Sequence, residues 1–159
     1  MPYKLMARSG PDNLWIVVDK PPQAGPWLGR DGEDLDDLIA NGETDRLGFV
    51  PRFVRQNSGK VRDLIWATGG SAKVVKPRFI DVLVSIGATG YRTFPVEVRG
   101  RRGESIGDFV GLAILDGDPT KDLYFSNGWQ FWEFAAADRV VDALRAANVT
   151  DLLIRRITP

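Results

Sequence analysis

Arg78-Phe-Ile-Asp-Val-Leu-Val-Ser-Ile-Gly-Ala-Thr-Gly-Tyr91 returns 61 positions later as Arg139-Val-Val-Asp-Ala-Leu-Arg-Ala-Ala-Asn-Val-Thr-Asp-Leu152. At that offset Asp81 stands opposite Asp142, Leu83 opposite Leu144 and Thr89 opposite Thr150. Gly87 falls opposite Asn148. Glycine and asparagine are the residues that best tolerate the left-handed conformation ending a helix. Each copy therefore reads as a helix, a left-handed cap, a short turn and a strand.

Outward from the first copy, Pro77 sits where a helix can begin without needing its missing N–H. Phe79, Ile80, Leu83 and Ile86 form an apolar stripe at helical spacing, and Tyr91 to Val98 follows as a strand. In the second copy Asp138 can cap a helix whose stripe is Val140, Val141, Leu144 and Ala147, with a closing strand from Leu152 to Ile157. Between the copies, strands are expected at Asp108 to Leu115 and Leu123 to Ser126. Asn127-Gly128 is a two-residue hairpin signal, with a return strand from Trp129 to Phe134. Ahead of them, Tyr3 to Met6, Leu14 to Val18 and Val61 to Ala67 read as strands and Asp34 to Ala40 as a short helix. Gly42 to Ser58 is irregular. The pattern predicts one α+β domain over 1–159, with a less regular part at 1–70 and a helix/strand core at 73–159. Its sheet is mainly antiparallel, framed by two or three helices in two similar helix-turn-strand units.

Composition narrows the chemistry. The 159 residues carry 21 Lys+Arg and 21 Asp+Glu, so no global charge points to DNA or a membrane surface. No apolar run is long enough to span a bilayer, and the N-terminal residues lack the apolar segment of a signal peptide. The sequence has no histidine and no cysteine. Ser-His-Asp triads, thiol catalysis and ordinary zinc sites are thereby excluded, and the lack of cysteine fits the cytoplasm. Catalysis would have to rest on carboxylates, Lys, Arg, Tyr or Ser.

Four constellations stand out. Asp31, Glu33, Asp34, Asp36 and Asp37 concentrate negative charge, either as acids favoured at a helix N-terminus or as a patch meeting a basic partner. Asp116-Gly-Asp-Pro-Thr-Lys-Asp122 resembles a calcium loop in composition. Pro119 and Lys121 occupy expected ligand positions, so a connecting turn is the stronger reading. Arg46, Arg52, Arg55, Lys60 and Arg62 interleave with Phe49, Phe53 and Trp66, the residue types that hold single-stranded nucleic acid. The neutral total charge argues against that use. Trp129, Phe131, Trp132 and Phe134 place aromatics on both faces of one strand, so Trp129 or Trp132 is the natural hot spot if one face is open.

The order Val75-Lys-Pro-Arg-Phe-Ile-Asp-Val-Leu83, a glycine turn, then Tyr91-Arg-Thr-Phe-Pro-Val-Glu-Val98 resembles a family of small bacterial proteins. That family, formerly known only as a domain of unknown function, comprises immunity proteins of polymorphic toxin systems. Phe94-Pro95-Val96 matches its strand tripeptide and Asp138 to Ile157 its closing unit. Leu112-Ala-Ile-Leu-Asp116 stands where members often carry a Leu-Asn-Val-type segment. The resemblance covers roughly 74–157. It implies a non-enzymatic cytoplasmic protein, without cofactor or metal, that neutralises a cognate toxin by direct contact. The surface expected for that contact comprises Asp31, Glu33, Asp34, Asp36, Asp37, Trp129 and Trp132. Two alternatives are a small hydrolase using Asp116, Asp118 or Asp122, and a nucleic-acid-binding accessory protein using Arg52, Arg55 and Arg62. The oligomeric state is not encoded in any motif.

Overall fold

The computed structural model describes residues 2–19, 38, 43–46, 48–68, 73–125 and 133–157. Its strands are β1 (Tyr3–Met6), β2 (Trp15–Val18), β3 (Arg52–Arg55), β4 (Leu64–Thr68), β5 (Lys73–Val75), β6 (Tyr91–Pro95), β7 (Glu97–Arg99), β8 (Val110–Ile114), β9 (Leu123–Tyr124), β10 (Glu133–Ala136) and β11 (Leu153–Arg156). The helices are α1 (Pro77–Ser85) and α2 (Asp138–Ala146), with a short 3-10 turn at Thr44–Arg46. This is the expected α+β class, and most strand pairs are antiparallel. Instead of one framed sheet there are two. The smaller has the order β11-β1-β10-β9 and the larger β6-β8-β5-β4-β2-β3-β7. The larger sheet is mixed, because β2/β4 and β3/β7 run parallel.

The repeat extends well beyond its two helices. Four strands of the larger sheet, β6-β8-β5-β4, match the whole of the smaller, β11-β1-β10-β9. Registers correspond as well. Pro95 pairs with Val110 as Arg156 pairs with Tyr3, and Val75 pairs with Val110 as Ala136 pairs with Tyr3. The unit is permuted: β8 follows its own helix in sequence, whereas the matching β1 comes from the N-terminal end.

Both helices end as the repeat predicts. Gly87 has φ 61° and Asn148 φ 57°. Ala88 N–H donates to Leu83 O at 3.0 Å and Val149 N–H to Leu144 O at 2.9 Å, the long bond of a Schellman cap. Pro77 is the first residue of α1. Asp138 is likewise the first residue of α2 and not its cap. Ala137 holds the N-cap position, with no side-chain capping bond. Ala147 is exposed, so the buried stripe of α2 is Val140, Val141 and Leu144. In α1 it is Phe79, Val82 and Leu83, with Ile80 and Ile86 partly buried.

The helices pack between the sheets in one core. Phe79, Leu83, Val140 and Leu144 meet Tyr3, Leu5 and Phe134 of the smaller sheet and Leu64, Val75, Leu112 and Ile114 of the larger. A second core collects Ile16, Phe53, Ile65, Val74, Phe94, Val98 and Ala113 from the opposite face of the larger sheet. Its shape follows from a break. The expected strand Tyr91 to Val98 divides at Val96, and the resulting β6 and β7 form opposite edges of the sheet. A one-residue link spans roughly 7 Å, so the edges converge there and the sheet curls around the second core. Phe94 and Val98, on either side of the break, are both 3% exposed.

Two strands, β3 and β5, lie where no strand is expected from the pattern. Leu38, within the expected Asp34 to Ala40 helix, is helical and 2% exposed within the second core. The rest of that helix lies outside the described residues, as do Asn127-Gly128 and the start of the return strand. Its end, β10, does pair antiparallel with β9.

Candidate functional site

Asp31, Glu33, Asp34, Asp36, Asp37, Trp129 and Trp132 all lie outside the described residues. The described residues instead show how the repeat uses its charges. Arg78, in the first turn of α1, forks onto Asp63 with Nε–Oδ1 2.6 Å and Nη2–Oδ2 2.8 Å. Arg139, in the first turn of α2, does the same to Asp122 at 2.7 and 2.7 Å. Bidentate guanidinium–carboxylate pairs are among the stronger polar contacts.

Each aspartate also ties its own unit to the other. Asp122 Oδ2 accepts from Thr89 N–H at 2.8 Å and Thr89 Oγ1 at 3.0 Å, in the turn after α1. Asp63 Oδ2 accepts from Asp151 N–H at 3.0 Å, in the turn after α2. Arg139 further donates to Ile86 O at 2.8 Å and Gly87 O at 3.3 Å, placing a cation at the negative end of α1. The end of each helix thus meets the start of the other, so the helices run antiparallel.

This arrangement sets the surroundings of the hydrolase candidates. The Arg139 guanidinium, helped by Thr89, holds the Asp122 carboxyl down at about 2. Asp118 is also lowered, by hydrogen bonds from Thr120 within its own exposed turn. Asp116 accepts from Asp118 N–H at 2.8 Å in the same turn. A general acid needs a raised carboxyl pKa in a recess, whereas Asp122 and Asp118 are both lowered. Among the described residues no group of three potential ligands is placed to hold a metal.

The basic segment 46–62 disperses in the fold. Arg46 pairs with Glu43 at 2.7 Å. Arg55 donates to the carbonyls of Asn57 and Gly59 at 2.7 and 3.0 Å. Arg62 is a strut joining Asn13 Oδ1 at 2.8 Å to Asp151 Oδ1 at 2.9 Å. Of the three arginines proposed for nucleic acid, Arg52 alone lines the larger arginine-rich recess. That recess is an open cleft of about 550 Å³ walled by Asp19, Arg52, Val54, Arg99, Gly100, Arg101 and Gly103. Glu97 stands between two of its arginines, 3.4 Å from Arg52 Nε and 3.4 Å from Arg99 Nη2. A smaller recess of about 210 Å³ adjoins it at Arg55, Asn57, Ser58, Arg101, Arg102 and Glu104. Arg99-Gly-Arg-Arg-Gly-Glu104 reads in sequence as a charged turn; the β3/β7 pairing is what turns it into a wall.

One buried cation was not anticipated. Lys73 on β5 is 6% exposed, its Nζ lying 5.5 Å from the Phe125 ring centre and 6.0 Å from that of Phe134. Burial pushes its ammonium down to about 8. The described residues include no helix long and apolar enough to cross a membrane. No protein-family model matches the sequence, and no curated protein matches it.

Proposed function

We propose that this is a non-enzymatic binding protein that neutralises a cognate bacterial toxin in the cytoplasm by direct protein–protein contact. The observation that supports a binding role is the use of the forked ion pairs. Asp63–Arg78 and Asp122–Arg139 brace one unit against the other and leave Asp122, the best-placed candidate acid, ionised and occupied. A rigid scaffold whose buried Asp63 and Asp122 are each closed on an arginine presents a pre-organised surface, which lowers the entropic cost of association. The toxin as partner comes from the sequence resemblance at 74–157. Occlusion of the toxin's site, with charge complementarity setting speed and specificity, is the mechanism.

Co-expression with the product of the adjacent gene tests the reading. Rescue of growth together with a stable one-to-one complex is expected. Toxicity that persists, with no complex recovered, would refute it.

A further inference from the structure

The larger sheet has two halves with different surroundings. On β4, β5 and β8 the face turned away from the second core is covered by the helices and the smaller sheet, through Leu64, Val75, Leu112 and Ile114. On β2, β3 and β7 strand alternation sends Ile16, Val18, Phe53 and Val98 into the second core. The opposite face there carries Trp15, Val17, Arg52, Val54, Glu97 and Arg99. Of its apolar members, Trp15, Val17 and Val54 belong to neither core.

Register arranges these side chains as a surface. Trp15 lies beside Trp66, Val17 beside Val54, Val54 beside Arg99, and Arg52 beside Glu97. Trp15 is 37% exposed and leans on Trp66 with ring centres 6.5 Å apart and planes at 33°. An aromatic and valine centre therefore grades into the arginine-lined cleft of Arg52, Arg99 and Arg101.

We propose that this face, which neither core covers among the described residues, from Trp15 across Val17 and Val54 to the arginine cleft, is the docking surface for a protein partner that presents carboxylates; the assignment rests on the binding role proposed above. Tryptophan and arginine are the residue types that dominate interface energetics, and an apolar centre with a charged rim is normal interface anatomy. Glu97 is shared between Arg52 and Arg99 at 3.4 Å each. A guanidinium offers five donors, so one shared carboxylate leaves both forks able to take another. The face does not suit a nucleic-acid strand. Asp19 and Glu97 interrupt its positive charge, the whole chain is neutral, and Trp15 and Trp66 pack on each other without a slot for a base between them.

Binding kinetics against the purified product of the adjacent gene test the assignment. The proteins compared are the native chain, Trp15→Ala, the double variant Arg52→Ala/Arg99→Ala, and Arg155→Ala on the exposed β11 edge as control. Each of the first two variants should weaken binding by about tenfold or more. Trp15→Ala should act through faster dissociation, and the arginine pair through slower association with a shallower salt dependence. Arg155→Ala should bind as the native chain does. Native-like affinity in both face variants would overturn the surface while leaving the binding role intact. No binding by the native chain would overturn both. Quenching of tryptophan fluorescence by a single-stranded oligonucleotide at low salt, abolished in the arginine variant, would reassign the face to nucleic acid. Arg52 is exposed and Arg99 half-buried at the sheet edge, and neither belongs to a core cluster, so the result of the arginine pair stands even if Trp15→Ala misfolds.

Discussion

Replacing Lys73 by methionine should stabilise the protein at neutral pH. Lys73 is 6% exposed, and among the described residues its ammonium meets two aromatic rings and no carboxylate. Burial lowers its pKa from 10.5 to about 8. A folded pKa below the unfolded one means that between those values the unfolded chain holds a proton the folded chain has released. Stability therefore rises with pH across that window, and the full penalty is present below it. At about 1.4 kcal/mol per pH unit the penalty is about 3 kcal/mol at pH 7. Attraction to the two rings offsets about 1 kcal/mol of it. Methionine keeps the length, and its thioether packs well on aromatic edges. The net expectation is a gain of about 2 kcal/mol, a rise in Tm of roughly 4–8 °C for a chain of this size. Urea denaturation of both proteins at pH 7 and pH 10 is the assay. The difference should shrink at pH 10, where native Lys73 folds mostly neutral at little cost. A methionine variant less stable than the native protein at pH 7, or a difference that does not change with pH, would refute the reasoning.

The two forked pairs should respond unequally to loss of their arginine. Arg78→Ala leaves Asp63, whose side chain is 0% exposed, with the Asp151 N–H as its one remaining partner among the described residues, and should cost about 3–5 kcal/mol in urea unfolding. Arg139→Ala leaves Asp122 with both donors of Thr89, and should cost less, about 1–2 kcal/mol. Asp122 has a folded pKa of about 2 against 3.8 unfolded, so its contribution is complete above about pH 4 and lost as pH falls through 2. Its arginine partner is half exposed, which limits that contribution to about 1 kcal/mol. The acid limb of the stability curve should flatten accordingly in Asp122→Asn. At the helix ends, Gly87→Ala should destabilise by about 1–2 kcal/mol from backbone strain alone, since open space surrounds the added methyl. Asn148→Gly should stabilise by a few tenths of a kcal/mol, and thermal melts of the pair would show the opposite signs.

The helices and their C-terminal caps were legible because each is fixed by local chemistry: a 3.6-residue stripe, a proline at the first turn, a glycine or asparagine at the left-handed position. The strands that were missed are those that local pattern cannot define. β5 is three residues long, and β3 is a four-residue Arg-Phe-Val-Arg without polar/apolar alternation, whose partners lie far off in sequence. The break at Val96 was hidden because Tyr91 to Val98 alternates like one continuous strand, yet its two parts pair with β8 and β3 respectively. The forked pairs were half visible. Arg78 and Arg139 open the two copies at the same offset, but Asp63 and Asp122 are only 59 apart, because the stretch from Leu123 to its partner Ala136 is two residues longer than that from Leu64 to its partner Val75. A fixed-offset comparison cannot align them.

The completed repeat separates scaffold from surface more sharply than its helices alone did. Every strand of the smaller sheet has a counterpart in β6-β8-β5-β4, and each forked pair has its twin. Even Lys73 has one: Phe134 stands 61 positions on, and the two face each other between the sheets. What has no counterpart is β2, β3 and β7, the extension that curls the larger sheet around the second core. Residues held in common by two halves of one scaffold serve what the halves share, which is folding and mutual bracing. A feature present once must answer to something the duplication does not explain. Trp15, Arg52 and Arg99 all lie on that extension. The Asp63 network reaches it through Arg62 and Asn13, just ahead of β2, and so anchors it to the duplicated body. Rigid attachment of an arginine-rimmed face that neither core covers among the described residues is the arrangement that the proposed binding surface requires.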